Sequence, residues 1–333
     1  MHPTGRRPSM VAVAVNLGIV YVIWGSTYLA IAYMVESLPP LLGAGVRFTT
    51  AGLAMLAFLV ARYRWQRARG TPTGDLRRPR LVEVRTAVIV GTLLLLGGNG
   101  MVTLAELTIP SGIAAVMIAT TPIWLSLFDA LLTRRRPSGL AIGGLLVGLL
   151  GVAILLLPAS GLDALNPLGI GTLLLAAICW SSGSLYARRG PLPANNLLGT
   201  GMEQLAGGLV ILVVAAAVGE VGQFNPATVT TASLLGLVFL IVFGSLVAFT
   251  AYTWLLKNVA VTTVATYAYV NPVVAVALGV AFRGETLSLR SMLAAALIIG
   301  AVIAMVSGRP RELTEPEPSA PEATQQREGQ PAP

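Results

Sequence analysis

The sequence places two opposite charges inside long apolar stretches, Arg47 in one and Glu203 in another. A charge inside a membrane span costs about 2.5–3.5 kcal/mol on insertion scales, so each one that is retained suggests a function. One reading is that Arg47 and Glu203 bind opposite ends of a zwitterionic substrate. The other is a structural ion pair, direct or through polar intermediates. The residue types leave both readings open.

A third apolar stretch carries a polar stripe, in which Asn99, Thr103 and Glu106 are spaced i, i+4 and i+7. This spacing puts the three side chains on one face of a helix, which should face protein or water rather than lipid. Asn99 is a candidate for substrate binding. Glu106 is either a hydrated carboxylate at the membrane interface or, if buried, a candidate for proton coupling. Glu203 is the second candidate for proton coupling.

Aromatic side chains recur at helical spacing in the same kind of stretch. Trp24 and Tyr28 share one helix face, and Trp180 lies in a similar setting later in the chain. Tyr267 and Asn271 are one helical turn apart. We expect these five residues to line a substrate cavity; the alternative is packing or an aromatic belt at the membrane interfaces.

Two prolines fall in the middle of apolar stretches. Pro122 and Pro272 each remove the backbone hydrogen bond to the carbonyl four residues earlier, which belongs to Ile118 and Ala268 respectively. Kinks at these places would expose carbonyls to a substrate and allow the helices to bend. We predict that both prolines act as hinges; simple tolerance of proline in a membrane helix is the alternative.

The inventory of reactive residues argues against an enzyme. The only histidine is His2 and the only cysteine is Cys179, so neither a zinc motif nor a Ser-His pair can be built. The single lysine, Lys257, follows two leucines and not the glycine-rich loop that ATP-driven pumps require. We therefore expect no catalytic residues, no metal and no cofactor.

Composition indicates lipid as the solvent. Of 333 residues, 55% are hydrophobic and only 11% are charged, whereas soluble domains are about 25% charged. The net charge of +8 lies in loops between apolar stretches and not on one face, so we expect no nucleic-acid partner. The expected surroundings are a lipid bilayer.

Ten apolar stretches are long enough to cross a hydrocarbon layer, which needs about 20 residues each. Each must be helical, because lipid offers no partner for backbone amides. The sequence therefore predicts an all-α integral membrane protein with ten transmembrane helices. The predicted spans are Met10–Tyr33, Leu41–Ala61, Thr86–Ala105, Ser111–Thr133, Leu140–Leu157, Leu168–Ala187, Leu197–Val218, Ser233–Leu256, Val259–Phe282 and Ser291–Ser307.

Positive charge alternates between the predicted loops, with 18 Lys and Arg residues on one side against two, Arg283 and Arg290, on the other. Cytoplasmic loops are enriched in positive charge, so we predict a multi-pass protein of the cell membrane with both termini cytoplasmic. Residues 1–9 form the cytoplasmic N-terminus, and residues 308–333 a disordered cytoplasmic tail. Asp129 is expected to pair with the nearby cluster Arg134–Arg136.

The chain repeats itself weakly. An offset of 156 pairs Trp24 with Trp180 and Gly45 with Gly201, and further along an offset of 150 pairs Pro122 with Pro272. We call positions related by these offsets repeat-equivalent. The repeats are residues 10–157 and 168–307. Since each holds five spans, the second must insert upside down, giving two five-helix inverted-topology repeats as in many secondary transporters.

Six sequence stretches resemble the EamA-type family of the drug/metabolite transporter superfamily. They are YVIWGSTY at 21–28, LPPLLGAGVRF at 38–48, GNGMVTLAE at 98–106, PSGIAAV at 110–116, YAYVNPV at 267–273 and GETLS at 284–288. The resemblance covers about Met10 to Ser307 and implies a ten-helix transporter. Members of this family often carry a Gly-Glu pair after the fourth helix of each repeat. Here the first repeat has Arg134–Arg136 instead, so we interpret Glu285 as a helix-end residue.

The expected function is transport of a small-molecule substrate, through secondary-active export of metabolites or drugs by alternating access; the preference for export rests on the resemblance. Uptake or facilitative transport by the same fold stays open, and a non-transporting scaffold or receptor is the third alternative. Small residues four apart, such as Gly144 and Gly148, are expected to bring helices into close contact, within the chain or in a homodimer.

Overall fold

The computed structural model describes residues 9–70, 77–134, 139–156, 165–259, 261–264, 266–286 and 288–307. These residues form helices joined by turns and contain no strand. The predicted N-terminus up to residue 8, the predicted tail, Leu157, Arg135 and Arg136 lie outside the described residues.

The described part of the chain contains ten long helices, which we label α1 to α10. They are α1 Met10–Met34, α2 Pro40–Ala68, α3 Leu81–Ala105, α4 Ser111–Thr133, α5 Gly139–Leu156, α6 Pro167–Arg189, α7 Asn196–Ala217, α8 Thr231–Asn258, α9 Tyr267–Arg283 and α10 Leu289–Ser307. Shorter helices cover Glu220–Gln223, Pro226–Thr228 and Val261–Val264.

Seven of these helices, α1 to α4 and α6 to α8, are long and apolar enough to cross a membrane. Two shorter apolar segments, Val270–Arg283 and Leu289–Ala301, lie in α9 and α10. Large apolar side chains along the helices point outward and are more than half exposed; examples are Val22, Leu53, Val213 and Leu235. Lipid is the solvent that stabilises such a surface.

Helix boundaries differ from the predicted spans where charged residues begin. α2 continues to Ala68, seven residues beyond the predicted end, and α3 begins at Leu81 and not at Thr86. A helix can continue past the edge of the lipid where it carries arginines, because the long side chains place their charged ends in water. At the start of α3, the Glu83 carboxylate accepts from the Arg80 amide at 2.8 Å and pairs with Arg77, which caps the helix.

The predicted ninth span, Val259–Phe282, is not one continuous helix. Val261–Val264 forms a single turn, and α9 begins only at Tyr267. Between them the Thr266 hydroxyl donates to the Thr263 carbonyl at 2.5 Å and contacts the hydroxyl of Tyr21 in α1. Hydrogen bonding of this hydroxyl to nearby backbone competes with the helical pattern and accounts for the interruption.

Among the helices that the structure describes, three contain π-helical segments: Val20–Trp24 in α1, Thr92–Gly100 in α3 and Leu240–Ala248 in α8. The segments in α3 and α8 are close to repeat-equivalent. π-Helical segments are rare in proteins. Where they do occur, they often lie at functional sites. The π-helical segment of α1 ends at Trp24, one of the predicted site residues.

Glycines set the contact between α2 and α7. A Cβ atom on Gly45 would lie 2.7 Å from Leu212, and one on Gly52 would lie 2.4 Å from the Leu205 amide nitrogen. In the other direction, a Cβ atom on Gly208 would lie 2.4 Å from the Thr49 amide nitrogen, and one on Gly201 would lie 3.0 Å from the Leu56 side chain. The two residue numbers in each of these four pairs add to 257, so the helices run antiparallel. The offset of 156 also relates these contacts to one another. It converts the Gly45–Leu212 contact into the Gly201–Leu56 contact, and the Gly52–Leu205 contact into the Gly208–Thr49 contact.

A second pair of contacts follows the same rule. The Ser181 hydroxyl in α6 donates to the Thr121 carbonyl in α4 at 3.0 Å. At the repeat-equivalent positions, a Cβ atom on Gly25 in α1 would lie 3.3 Å from the Asn271 carbonyl in α9. The packing of α6 on α4 thus matches that of α1 on α9.

Several acidic side chains meet at one end of the helix bundle, which we call the acidic end. Glu36 pairs with Arg283 at 2.5 Å, and Glu220 accepts from the Leu42 amide at 2.7 Å. Glu285 accepts from the amide and hydroxyl of Ser111 at 3.1 and 2.6 Å, and from the Gly112 amide at 3.2 Å. All three acids join residues 10–157 to residues 168–307, so the two sequence repeats are held together at this end.

The small residues of α5 pack within the chain. A Cβ on Gly148 would lie 2.4 Å from Ile123, and one on Gly151 would lie 2.7 Å from Ile298 in α10. The close helix contacts predicted for these stripes therefore include intramolecular ones. A homodimer stays a prediction.

Candidate functional site

A cavity of about 60 Å³ lies between helices of both repeats, and we call it the central cavity. Its lining contains seven of the eight predicted substrate-binding residues. These seven are Trp24, Tyr28, Arg47, Asn99, Trp180, Tyr267 and Asn271. The rest of the lining is mostly small or apolar, which is typical of a small-molecule site.

An aromatic layer closes one side of the central cavity. The ring of Trp24 lies 5.5 Å from Trp180, 4.7 Å from Tyr252 and 5.6 Å from Tyr267, measured between centroids. Tyr252 and Tyr267 are 6.0 Å apart. The contacts of Trp24 with Trp180 and with Tyr267, and of Tyr252 with Tyr267, are edge-to-face, and such contacts stabilise the layer beyond the burial of its area.

A second cavity of about 20 Å³ lies on the other side of the aromatic layer and shares Trp180 and Tyr267 with the first. Its lining also contains Tyr252, Ser184, Thr121, Pro122 and Arg188. Several of these residues are repeat-equivalent to the central lining: Trp180 to Trp24, Ser184 to Tyr28, Thr121 to Asn271 and Tyr252 to Val102. The two cavities are thus built from corresponding parts of the two repeats.

Arg47 lies in α2 with only 3% of its surface exposed. Its Nε donates to the Ser245 hydroxyl of α8 at 2.9 Å, and its guanidinium lies 4.4 Å from the centre of the Phe48 ring. Gly244 leaves room for the guanidinium, since a Cβ there would lie 2.9 Å from Nη2. The charged group is therefore fixed at the wall of the central cavity.

Glu203 forms no direct ion pair with Arg47 in the described structure, which was one of the two readings of the sequence. The ion pairs among the described residues join Arg77 to Glu83, Asp129 to Arg189 and Arg283 to Glu36. Arg47 is level with Val210 in the antiparallel α2–α7 pair, which leaves Glu203 seven residues away, about 10 Å along the helix. Glu203 is 4% exposed and lies nearer Lys257 and Tyr252, outside the central lining.

Asp129 also has a partner other than the predicted one. It pairs with Arg189 of α6 at 2.9 Å, across the repeats. Of the predicted cluster, only Arg134 lies within the described residues, and it forms no ion pair there with Asp129. Arg134 ends α4 in the left-handed backbone conformation.

Glu106 is buried, at 8% exposure, and the polar stripe Asn99, Thr103 and Glu106 faces the interior of the protein. Thr103 donates to the Asn99 carbonyl at 2.8 Å. Neither carboxyl oxygen of Glu106 has a hydrogen-bond partner among the described residues. Buried polar groups without partners are uncommon and call for an explanation.

The two predicted hinges differ from each other. α4 is interrupted at Ala119 and Thr120, just before Pro122, and the freed Ile118 carbonyl accepts from the Thr121 hydroxyl at 2.6 Å. Pro272 instead lies inside the continuous helix α9. Bending at either proline stays a prediction.

Phe249 is a lining residue that the sequence analysis missed, together with Thr27. Phe249 is repeat-equivalent to Asn99, so applying the offset of 150 to the polar stripe identifies it. Thr27 carries no such signal; its hydroxyl donates to the Trp24 carbonyl at 2.6 Å next to the π-helical turn.

Within the described residues no group of three or more His, Cys, Asp or Glu side chains is placed to hold a metal ion. The lining groups are aromatic rings, amides and one guanidinium, which bind small organic molecules. An all-helical protein with several membrane-spanning helices and such an internal cavity has the construction of a membrane transporter.

Comparison with known proteins agrees with this class. The model of the EamA-like transporter family matches the chain twice, over residues 13–157 and 167–307, and the chain belongs to that family. The uncharacterized inner membrane transporter YedA of Escherichia coli strain K12 is 40% identical over 290 residues, covering 87% of this chain and 89% of YedA. The protein is therefore a multi-pass membrane transporter.

More distant relatives extend the likeness. Protein PecM of Dickeya dadantii is 26% identical over 283 residues, covering 84% of this chain and 88% of PecM. The uncharacterized transporter YvbV of Bacillus subtilis is 24% identical over 300 residues, covering 88% and 91%. One solved crystal structure superposes with a TM-score of 0.59 at 22% identity, covering 89% of this chain and 96% of that one, a likeness of fold alone.

Proposed function

We propose that this transporter consists of ten transmembrane helices in two inverted five-helix repeats, with both termini in the cytoplasm and the acidic end outside. The observation that supports inversion is the α2–α7 contact. Gly52 against Leu205 and Gly208 against Thr49 are one contact seen from the two repeats. Equivalent helices of two parallel copies would run parallel, and the residue numbers of their contacts would keep a constant difference and not a constant sum.

Transport would proceed by alternating access across the aromatic layer. The central cavity and the smaller second cavity contain repeat-equivalent residues on opposite sides of Trp24, Trp180, Tyr252 and Tyr267. In an inverted pair, exchanging the conformations of the repeats exchanges the cavity that is large for the one that is small. Substrate in the central cavity would thereby pass through the layer without an open channel.

The driving force would be an ion gradient, and Glu106 is the proposed proton carrier. A protonated carboxyl costs far less to bury without a partner than a carboxylate does. A cycle in which Glu106 is buried in one state and hydrated in the other would therefore take up and release a proton. Its repeat-equivalent is Leu256, so the coupling group would act on one side only. The direction we propose is export of small molecules.

Flux into and out of proteoliposomes tests this function. The purified chain should accumulate or release members of a metabolite panel faster than empty liposomes, and a pH gradient should change the rate. Cysteine labelling from each side of intact cells tests the orientation. Labels on the two termini from opposite sides of the membrane, or absence of flux across the panel with correctly folded protein, would contradict the proposal.

A further inference from the structure

The central cavity carries one kind of formal charge. Among its described lining residues Arg47 is the single ionised side chain, and the lining contains no Asp or Glu. The polar groups beside it are neutral, namely Asn99, Asn271 and Thr27, together with the tyrosine hydroxyls.

The guanidinium of Arg47 has more hydrogen-bond donors than acceptors around it. A guanidinium carries five N–H groups and does not release its proton. Within the described part of the chain, its hydrogen-bond acceptor is the Ser245 hydroxyl, and no carboxylate lies within ion-pair distance. A buried charge is costly unless it is paired. An anion in the cavity would supply the missing partner.

We propose that the substrate is an organic anion: a carboxylate bound by Arg47, attached to a flat apolar body held among the aromatic rings. This inference rests on the proposed transport function and names its substrate class. Carboxylates match the planar guanidinium with two parallel hydrogen bonds. The rings of Trp24, Trp180, Phe249 and Tyr267 supply the apolar wall.

The second cavity has the same sign of charge. Arg188 is the ionised residue of its lining, beside Ser184 and Thr121. An anion that crosses the aromatic layer therefore meets a second guanidinium, and the described lining of this cavity contains no Asp or Glu. A cation would face like charge on both sides, with no counter-ion among the described lining residues of either cavity.

The test uses three molecules that share a ring and chain length: 3-phenylpropanoate, 3-phenylpropanamide and 3-phenylpropan-1-amine. Binding to the purified full chain in neutral detergent is measured by calorimetry and by the fluorescence of the cavity tryptophans. Hydrogen bonds to a charged group contribute about 1.5–3 kcal/mol, so the acid should bind about tenfold to a hundredfold tighter than the amide. The amine should bind more weakly than the amide.

Variants separate the charge from the rest of the cavity. R47Q should abolish the preference for the acid and leave amide binding nearly unchanged, while R47K should retain part of the preference. R62Q is the matched control, since Arg62 lies in α2 and is exposed to solvent; it should change nothing. If R47Q does not fold, S245A removes the hydroxyl that orients the guanidinium and should weaken acid binding alone.

Equal affinity for acid and amide, tighter binding of the amine, no measurable binding of the acid, or an acid preference that survives R47Q would each overturn the inference. Binding needs no flux, so its outcome is separate from the transport proposal. Acid-selective binding without flux would support the anion site and contradict transport. Flux of the amine without flux of the acid would support transport and contradict the anion site.

Discussion

Arg134 and Gly284 are repeat-equivalent, and both end the fourth long helix of their repeat in the left-handed backbone conformation, with φ of 52° and 62°. Arg134 is the one described residue other than glycine with a positive φ. A side chain in this conformation costs about 1–2 kcal/mol, which glycine avoids. The first repeat thus has a strained arginine where the second has the residue type that the geometry favours.

Replacing Arg134 with glycine should therefore stabilise the protein. We expect R134G to increase the free energy of unfolding by about 1 kcal/mol, after allowing for the greater freedom of glycine in the unfolded chain. The midpoint of thermal unfolding in detergent measures this. R134A is the matched control, because it removes the same charge and keeps Cβ. If R134A stabilises the protein as much as R134G does, repulsion among arginines and not backbone strain is the cause.

The α2–α7 crossing leads to a prediction about symmetry. G52A and G208A each place a methyl group about 2.4 Å from the backbone of the other helix. Overpacking of this kind costs about 1–3 kcal/mol. Since the two contacts are equivalent under inversion, both variants should lower the unfolding midpoint by a similar amount.

G171A is the control for this pair. Gly171 lies in α6, and a Cβ atom added there would meet no other atom within 4 Å. Alanine at this position should therefore be neutral or slightly stabilising, because alanine favours the helix. A normal midpoint for either G52A or G208A would show that the helices pack less closely than described.

Glu285 should contribute to stability by capping α4. Its carboxylate accepts from two backbone amides and one hydroxyl of Ser111 and Gly112. E285Q keeps the shape but exchanges one acceptor for a donor, and we expect a loss of about 1–3 kcal/mol in the free energy of unfolding. E36Q is the comparison, since its ion pair with Arg283 is partly exposed and such pairs contribute about 0.2–1 kcal/mol. Equal losses in the two variants would contradict a capping role.

The sequence predicted the helical class and the membrane surroundings because both depend on local patterns. Apolar stretches of about 20 residues and arginine-rich loops need no knowledge of which helix packs on which. Boundaries were less predictable. Where α2 continues to Ala68, and where Thr266 interrupts the chain before α9, the outcome depends on water or on hydrogen bonds that composition does not reveal.

Candidate residues could be named from type and spacing, whereas their pairing could not. Trp24, Asn99 and Tyr267 are unusual in apolar helices, and the structure brings them to one cavity. A direct ion pair between Arg47 and Glu203, one of the two readings, is absent from the described residues because repeat-equivalent positions in an antiparallel helix pair coincide only near the crossing point. Arg47 is several residues from that point, and its partner Ser245 comes from α8.

Glu106 provides the sharpest test of proton coupling. It is buried with no partner for its carboxyl oxygens among the described residues. E106Q has nearly the same size and cannot release a proton, so net flux driven by a pH gradient should fall at least tenfold. Exchange of substrate across the membrane without a gradient should persist, because it requires the helix movements and not the proton.

E36Q, which removes an acid from the same end, should leave the response to the gradient intact. A gradient response that survives E106Q would exclude Glu106 as the carrier, and loss of both net flux and exchange would assign it to substrate binding or to structure.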